Sequence, residues 1–382
     1  MLLTDQQEMI RDAVREFARC ELKPNAAKWD AERTFPRDAI AGLGRLGMMG
    51  INVPEEWGGA GADFVSMAVA LEEIARGDAS TSTIVSGHNS VGCMPIFRFG
   101  SDAQRDRFLR PLALGQQLAA FLLTEAHGGS DAGAPRTTAR RDGDSYVING
   151  TKQFITSGST ADVALVFAAT GPRPGKDITA FIVPTDTAGY TITRVEKKLG
   201  QHASDTAQIA LDNVRVHESL RLGEEGQGYR IALSNLEGGR IGIAAQAVGI
   251  AQAALDAALP YARERHVFGK PIVEHQAVGF RLAAMATRVE TARQMVLHAA
   301  ALKDAGRPCL MEACMAKLVA SEAAEWVCSE AIQVLGGYGY LADFPVERLY
   351  RDARVCRIYE GTNDIQHIVI LRELQRSHGM AG

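Results

Sequence analysis

Tyr146-Val147-Ile148-Asn149-Gly150, Ala164-Leu165-Val166-Phe167, Ala180-Phe181-Ile182-Val183-Pro184, Tyr190-Thr191-Ile192-Thr193 and Ala207-Gln208-Ile209-Ala210-Leu211 follow one another in the middle of a 382-residue chain. Each is a short run of β-branched, aromatic and aliphatic residues bounded by Gly, Pro, Asn or Asp, the pattern of strands separated by turns. The series predicts an antiparallel β-barrel or sandwich over residues 119–229. The flanking chain has a different period. Thr4 with Gln7 has the form of a capping box, and Ile10, Val14 and Phe17 follow at helical spacing. Further helical runs cover Phe64 to Ala75 and Phe97 to Leu114, with Pro54 to Gly61 as a loop. After Gly223 to Gly228 the chain turns Ala-rich and helical again, punctuated at Pro260, Phe268-Gly269-Lys270-Pro271, Gly306-Arg307-Pro308 and Gly336-Gly337-Tyr338-Gly339. The expected architecture is therefore α+β in three parts: 1–118 helical, 119–229 β, 230–382 helical.

Composition narrows the function. With 46% hydrophobic and 23% charged residues the chain reads as a globular protein, too long for one ordinary core. A formal net charge of -4 and the absence of Lys/Arg blocks argue against nucleic acid or an anionic membrane as the main partner. The apolar run from Ala161 to Ala169, broken by Asp162, is too short to span a bilayer, so no membrane insertion is expected. The first residues, Met1-Leu2-Leu3-Thr4-Asp5-Gln6-Gln7, have neither the basic region and apolar core of a signal peptide nor the Arg/Ser bias of a transit peptide, and a cytoplasmic location is expected. Six cysteines without a C-x-x-C pair, and nine histidines without ligand spacing, predict reduced thiols and no metal site.

Near the C-terminus, Arg357-Ile358-Tyr359-Glu360-Gly361-Thr362-Asn363-Asp364 sets one carboxylate among apolar neighbours. Desolvation there would raise its pKa and make it a useful base, although a lone Glu is more often a solvated helix residue. Two other motifs are discounted. Gly42-Leu43-Gly44-Arg45-Leu46-Gly47 matches G-x-G-x-x-G, but helix precedes it where the dinucleotide fingerprint needs a strand. Gly129-Ser130-Asp131 is no nucleophile elbow, because Ala132 stands where G-x-S-x-G needs glycine.

Several segments, in order, resemble the acyl-CoA dehydrogenase family. Phe121-Leu122-Leu123-Thr124-Glu125 with Gly129-Ser130-Asp131 resembles its Leu-Thr-Glu-Pro…Gly-Ser-Asp motif, and Phe154-Ile155-Thr156 its (Trp/Phe)-Ile-Thr strand. Arg265-His266-Val267-Phe268-Gly269-Lys270-Pro271 with His275-Gln276, then Gln333-Val334-Leu335-Gly336-Gly337 and Tyr359-Glu360-Gly361-Thr362, complete the set. The resemblance implies an N-terminal helical domain, a central β-domain and a C-terminal four-helix bundle, assembled as a homotetramer with FAD. Phe121, Leu123, Thr124, Gly129 and Ser130 would lie along the flavin, with Ser130 also near the CoA, and Phe154, Ile155 and Thr156 would face the ring. Arg265, Phe268, His275, Gln276, Gln333, Val334, Gly336 and Gly337 would serve the FAD of a neighbouring subunit, and Thr362 and Asn363 would also contact cofactor.

The implied reaction is α,β-dehydrogenation of a short-chain acyl-CoA to the trans-2-enoyl-CoA, with electrons passed to an electron-transfer flavoprotein. Glu360 would be the base, and Ser130, Glu237, Arg240, Tyr359 and Gly361 would contact substrate. Some family members carry the base on an earlier helix, at the position of Gly239 in Leu236-Glu237-Gly238-Gly239-Arg240. No carboxylate stands there, so Glu360 is the sole candidate. Ala126-His127-Gly128 departs from the family's usual Pro-containing loop. The helix Ser80-Thr81-Ser82-Thr83 carries no cation, which disfavours a dicarboxylate substrate. A short branched-chain acyl-CoA dehydrogenase and an acyl-CoA oxidase remain as alternatives.

Overall fold

The computed structural model describes residues 1–378. The N-terminal segment holds helices α1 (Asp5–Phe17), α2 (Ala26–Glu32), α3 (Arg37–Arg45), α4 (Phe64–Gly77), α5 (Ala79–Gly87), α6 (Met94–Phe99), α7 (Asp102–Gln104) and α8 (Arg110–Ala113). Strands follow: β1 (Ala119–Leu122), β2 (Thr138–Asp142), β3 (Ser145–Thr156), β4 (Val163–Ala169), β5 (Ile178–Pro184), β6 (Tyr190–Val195), β7 (Thr206–His217) and β8 (Arg221–Leu222). The rest is α9 (Gly228–Ser234), α10 (Leu236–Glu264), α11 (Gln276–Asp304), α12 (Leu310–Leu335), α13 (Pro345–Ala353) and α14 (Asn363–Ser377). The capping box at α1 is present: Thr4 Oγ1 accepts from Gln7 N, and the Gln7 side chain accepts from Thr4 N.

The sheet corrects the antiparallel expectation. Its order is β6-β7-β3-β2-β4-β5-β8, and β1 lies off this path, paired parallel to β4 from Ala119↔Val163 to Leu122↔Val166. It is a mixed sheet and not a closed barrel. Turn residues between short runs report hairpins, whereas β1 arrives from the helical segment and its direction is set by that connection. β4 and β5 are buried on both faces. Leu165, Phe167 and Ile182 pack toward Phe108, Leu112 and Ile231, while Val166 and Phe181 pack toward Tyr146, Ile148 and Ile209. That is why both strands read as continuous apolar runs.

The two helical segments share one core. Leu71 and Ile74 of α4 cluster with Ile241 and Val248 of α10, Met285 of α11 and Ala316 and Ala320 of α12. Close packing shows at Gly249, where a Cβ would lie 2.2 Å from Glu72 O of α4. The stretch Gly228–Glu264 contains a window with mean hydropathy 1.4, long and apolar enough to cross a membrane, which the reading of apolar runs missed. In the fold 72% of that window is buried, because α10 is the helix around which both helical segments pack. Asp304 at the end of α11 ties the segments again, accepting from Phe64 N (2.7 Å) and Val65 N (3.0 Å) at the start of α4. Asp304→Ala is expected to lower unfolding free energy by about 1 kcal/mol, the usual worth of such a capping contact; urea unfolding indistinguishable from wild type would show that the tie contributes nothing.

Candidate active site

Glu360 sits where the chain passes from the turn after α13 into α14. Its φ is +52° and that of Gly361 is +85°, so two consecutive residues are left-handed. For a glutamate this conformation is costly and persists only when its surroundings impose it. Here they do. Lys317 Nζ of α12 donates to Gly361 O and Asn363 Oδ1, both at 2.9 Å. Gln366 Nε2 donates to Glu360 O (3.2 Å) and Gly361 O (2.8 Å), and Thr362 caps α14 by accepting from Ile365 N. A Cβ on residue 361 would stand 2.8 Å from Gln366 Nε2, so the turn requires glycine there.

This turn swings the Glu360 side chain over α10. A Cβ built on Gly239 would lie 2.8 Å from Glu360 Oε2 and 3.1 Å from Cδ, so the two positions at which the family resemblance implies a base converge on one point in space. A side chain at 239 would displace the carboxylate. Among the described residues the carboxylate has no hydrogen-bond or ion-pair partner, and the backbone N–H of Glu360 donates to nothing. Burial pushes the carboxyl above its usual range, with the positive charges of Arg240 and Lys317 pulling partly back. Burial likewise lowers the Lys317 ammonium, to about 8, against the raising effects of Cys356 and Glu360.

Glu360 opens into a cavity of about 490 Å³ between the sheet and the helices. Of the expected site residues, Phe121, Leu123, Thr124, Gly129, Ser130, Phe154, Thr156, Arg240, Tyr359, Glu360 and Gly361 line it. Phe154 is 63% exposed with φ +58°, at an irregularity in the β3–β7 pairing between Lys152 and Ile155 that turns its ring out of the strand. Ile155 does not face the cavity: its side chain is 2% exposed and lies in the sheet core, as strand alternation demands. Glu237 is not in the lining either, but accepts from Lys303 Nζ at 2.9 Å. Thr362 and Asn363 are engaged in the α14 cap and the Lys317 contact.

The loop from Leu123 to Thr137 is braced underneath. Glu125 accepts from Lys152 Nζ (2.8 Å), Arg136 N (2.8 Å) and Thr137 N (3.1 Å), and Lys152 Nζ also donates to Leu123 O (3.1 Å). Burial raises the Glu125 carboxyl, but Lys152 and these N–H donors outweigh it and hold it below the usual range. Glu125 is thus a brace, in contrast to Glu360.

A second cavity of about 590 Å³ lies on the surface, lined by Arg265, Phe268, His275, Val334, Gly336 and Gly337 among others, and shares no residue with the first. Gln276 and Gln333 are exposed and outside its lining. Phe268 is 92% exposed, and Arg265 lies over the Tyr338 ring at 5.9 Å. The expected cofactor residues therefore fall into two separate groups. Sequence reasoning missed Lys317, Gln366 and Arg372. Lys317 had left a signal: with Ala313, Ala320 and Ala324 it occupies an inward face of α12, all fully buried, where an unpaired lysine is out of place.

The main cavity suits a planar aromatic cofactor together with an elongated substrate. Its β-side wall carries the Phe121 and Phe154 rings and the small residues Gly129, Ser130 and Ala132. Arg240, only 5% exposed, lines it with Nε unpartnered, so the donor set is incomplete without a ligand.

Three family models match the chain: the acyl-CoA dehydrogenase N-terminal domain over residues 4–116, middle domain over 120–214 and C-terminal domain over 226–375. An acyl-CoA dehydrogenase of Bacillus subtilis (strain 168) is 50% identical over 98% of this chain and 99% of that protein. Butyryl-CoA dehydrogenase from Megasphaera elsdenii superimposes with TM-score 0.96 at 41% identity, covering 98% of this chain and 100% of that one. A chain in a structure described as the electron transferring flavoprotein of Acidaminococcus fermentans gives TM-score 0.97 at 43% identity, covering 98% and 99%. The chain belongs to the acyl-CoA dehydrogenase family of FAD-dependent oxidoreductases.

Proposed function

We propose that this chain dehydrogenates short-chain acyl-CoA thioesters between Cα and Cβ, with Glu360 as the only base. The observation that carries the reading is an unpartnered, desolvated carboxylate facing a cavity, with its own backbone N–H free beside it. The cavity's ends differ. Leu233, Ile368 and Arg372 at one side are exposed, whereas Thr83, Ile84 and His88 are buried. The polyanionic CoA belongs at the open end, where Arg372 and Arg240 supply positive charge, and the apolar acyl chain belongs at the closed end. The likeness to butyryl-CoA dehydrogenase supports a short acyl chain.

Phe121, Leu123, Thr124, Gly129, Ser130, Phe154 and Thr156 would hold the flavin. When bound, FAD supplies the two-electron acceptor for the hydrogen leaving Cβ. Glu360 takes the α-proton on a carboxylate oxygen, and the C–H electron pair moves into the forming Cα=Cβ bond as the β-hydrogen departs with its electrons. Burial makes Glu360 a stronger base than a solvated glutamate and thereby narrows the pKa gap to the α-carbon. The Glu360 N–H is placed to donate to the thioester carbonyl as negative charge builds on it. Because Arg265, Phe268, His275, Gly336 and Gly337 form a separate surface group, we assign them to FAD held mainly by a neighbouring copy in a homotetramer. Electrons would leave to an electron-transfer flavoprotein, a partner supported by the likeness to the Acidaminococcus fermentans chain.

Anaerobic titration of the purified flavoprotein with butyryl-CoA is expected to bleach the flavin. Glu360→Gln should retain FAD and thioester binding but lose at least about 10³-fold in reduction rate; near-wild-type reduction would remove Glu360 from its role. Reduction by wild type should rise with pH through the raised Glu360 pKa, since only the carboxylate accepts the proton. Lys317→Met removes a charge that lowers that pKa, so the acidic limb should move to higher pH; stopped-flow rates across pH with an unmoved limb would count against the coupling.

A further inference from the structure

Behind the buried end of the cavity four side chains close a ring of hydrogen bonds. Thr83 Oγ1 donates to Gln201 Oε1 (2.6 Å), Gln201 Nε2 to Tyr359 OH (3.4 Å), Tyr359 OH to Gln246 Oε1 (2.9 Å) and Gln246 Nε2 to Thr83 Oγ1 (2.6 Å). Every hydroxyl both donates and accepts within the ring, and each amide uses both ends, so members strengthen one another in a dry setting. Thr83 and Tyr359 line the cavity, and Gln201 and Gln246 stand behind them, 3% and 0% exposed. Each member comes from a different element: α5, the β6–β7 connection, the turn before Glu360, and α10. Gln201 alone comes from the β-sheet segment.

Gln201 is held hard in place. It is a non-glycine residue at φ +50°, its backbone N donates to Asp352 Oδ1 of α13, and its Nε2 also donates to Asp352 O (3.1 Å). Gly200 beside it lets the loop touch α13, where a Cβ would be 2.5 Å from Arg351 C. On the other side, His202 lies 3.0 Å from Asp30 of α2, and Asp30 pairs with Arg351 at 2.7 Å. All three segments of the chain meet at this loop. A left-handed backbone at a buried glutamine is retained where the side chain must reach a set point.

We propose that Gln201 is a positioning residue that sets the depth of the acyl site by bracing Thr83 and Tyr359 from behind. This rests on the reading of the cavity as an acyl-thioester site. Without the Gln201 amide, two ring bonds are lost and the space it fills opens behind the end wall, so a longer acyl chain can enter. Gln201→Gly is the clean change, because glycine accepts φ +50° without strain and keeps the N–H donation to Asp352. Thr83→Val is a second variant that preserves shape, leaves the loop untouched and removes both of the hydroxyl's ring bonds.

The test is steady-state turnover of hexanoyl-CoA and butyryl-CoA by the FAD-loaded wild type and both variants, with flavin content measured alongside. The ratio of kcat/KM for hexanoyl-CoA over butyryl-CoA should rise at least tenfold in Gln201→Gly, through KM for the longer thioester. It should rise at least threefold in Thr83→Val. Ratios within twofold of wild type in the variants that retain flavin overturn the proposal and leave the dehydrogenase reading intact. No flavin reduction by either thioester in wild type overturns both.

Discussion

The carboxylate of Glu360 rests against the bare backbone of α10 at Gly239, and the rest of the site is arranged around that contact. A glycine is needed on α10 because any Cβ would collide with the carboxylate. A left-handed turn is needed at 360–361 to aim the side chain there, and left-handed backbone is unfavourable for glutamate. The turn is therefore clamped from three directions, by Lys317 on α12, by Gln366 on α14 and by the ring of amides and hydroxyls around Tyr359. The strain of one residue is distributed over four helices, α5, α10, α12 and α14.

Two carboxylates beside the cavity, Glu125 buried and Glu360 half-buried, meet opposite fates, and the difference is in their partners. Glu125 is surrounded by an ammonium and two backbone donors, which keep it ionised and make it an anchor for the loop beside the cavity. Glu360 has positive charges near it but no donor on its oxygens, so desolvation wins and its pKa rises. Burial alone does not make a base. Burial without hydrogen bonds does, because such a carboxylate is stabilised by accepting a proton.

Much of this was legible along the chain. The capping box at Thr4, the short strand runs from Tyr146 to Leu211 and the long Ala-rich helices are local patterns, and local patterns report local structure. The lining of the cavity by Phe121, Thr124, Ser130, Phe154 and Glu360 followed from motifs. What escaped was non-local. Nothing near Ala119 says that β1 will lie parallel to β4, and nothing near Glu237 says that Lys303 will claim it. Ile155 was placed with its motif neighbours although strand alternation sends it into the core.

The amino-acid sequence by itself determined the kinds of elements and the family, and it left Glu360 as the sole candidate of the two positions at which the family resemblance implies a base, since residue 239 is glycine wherever the chain goes. The tertiary structure alone decided that Gly239 and Glu360 face each other, that Lys317 sits fully buried beside them, and that Thr83, Gln201, Gln246 and Tyr359 close a ring. Those facts join residues separated by tens of positions and, for Gly239 with Glu360 and Thr83 with Gln246, by more than a hundred. Hydrophobic periodicity states which face of an element is buried, but contact across such separations depends on how the buried faces stack, and stacking is a property of the whole core.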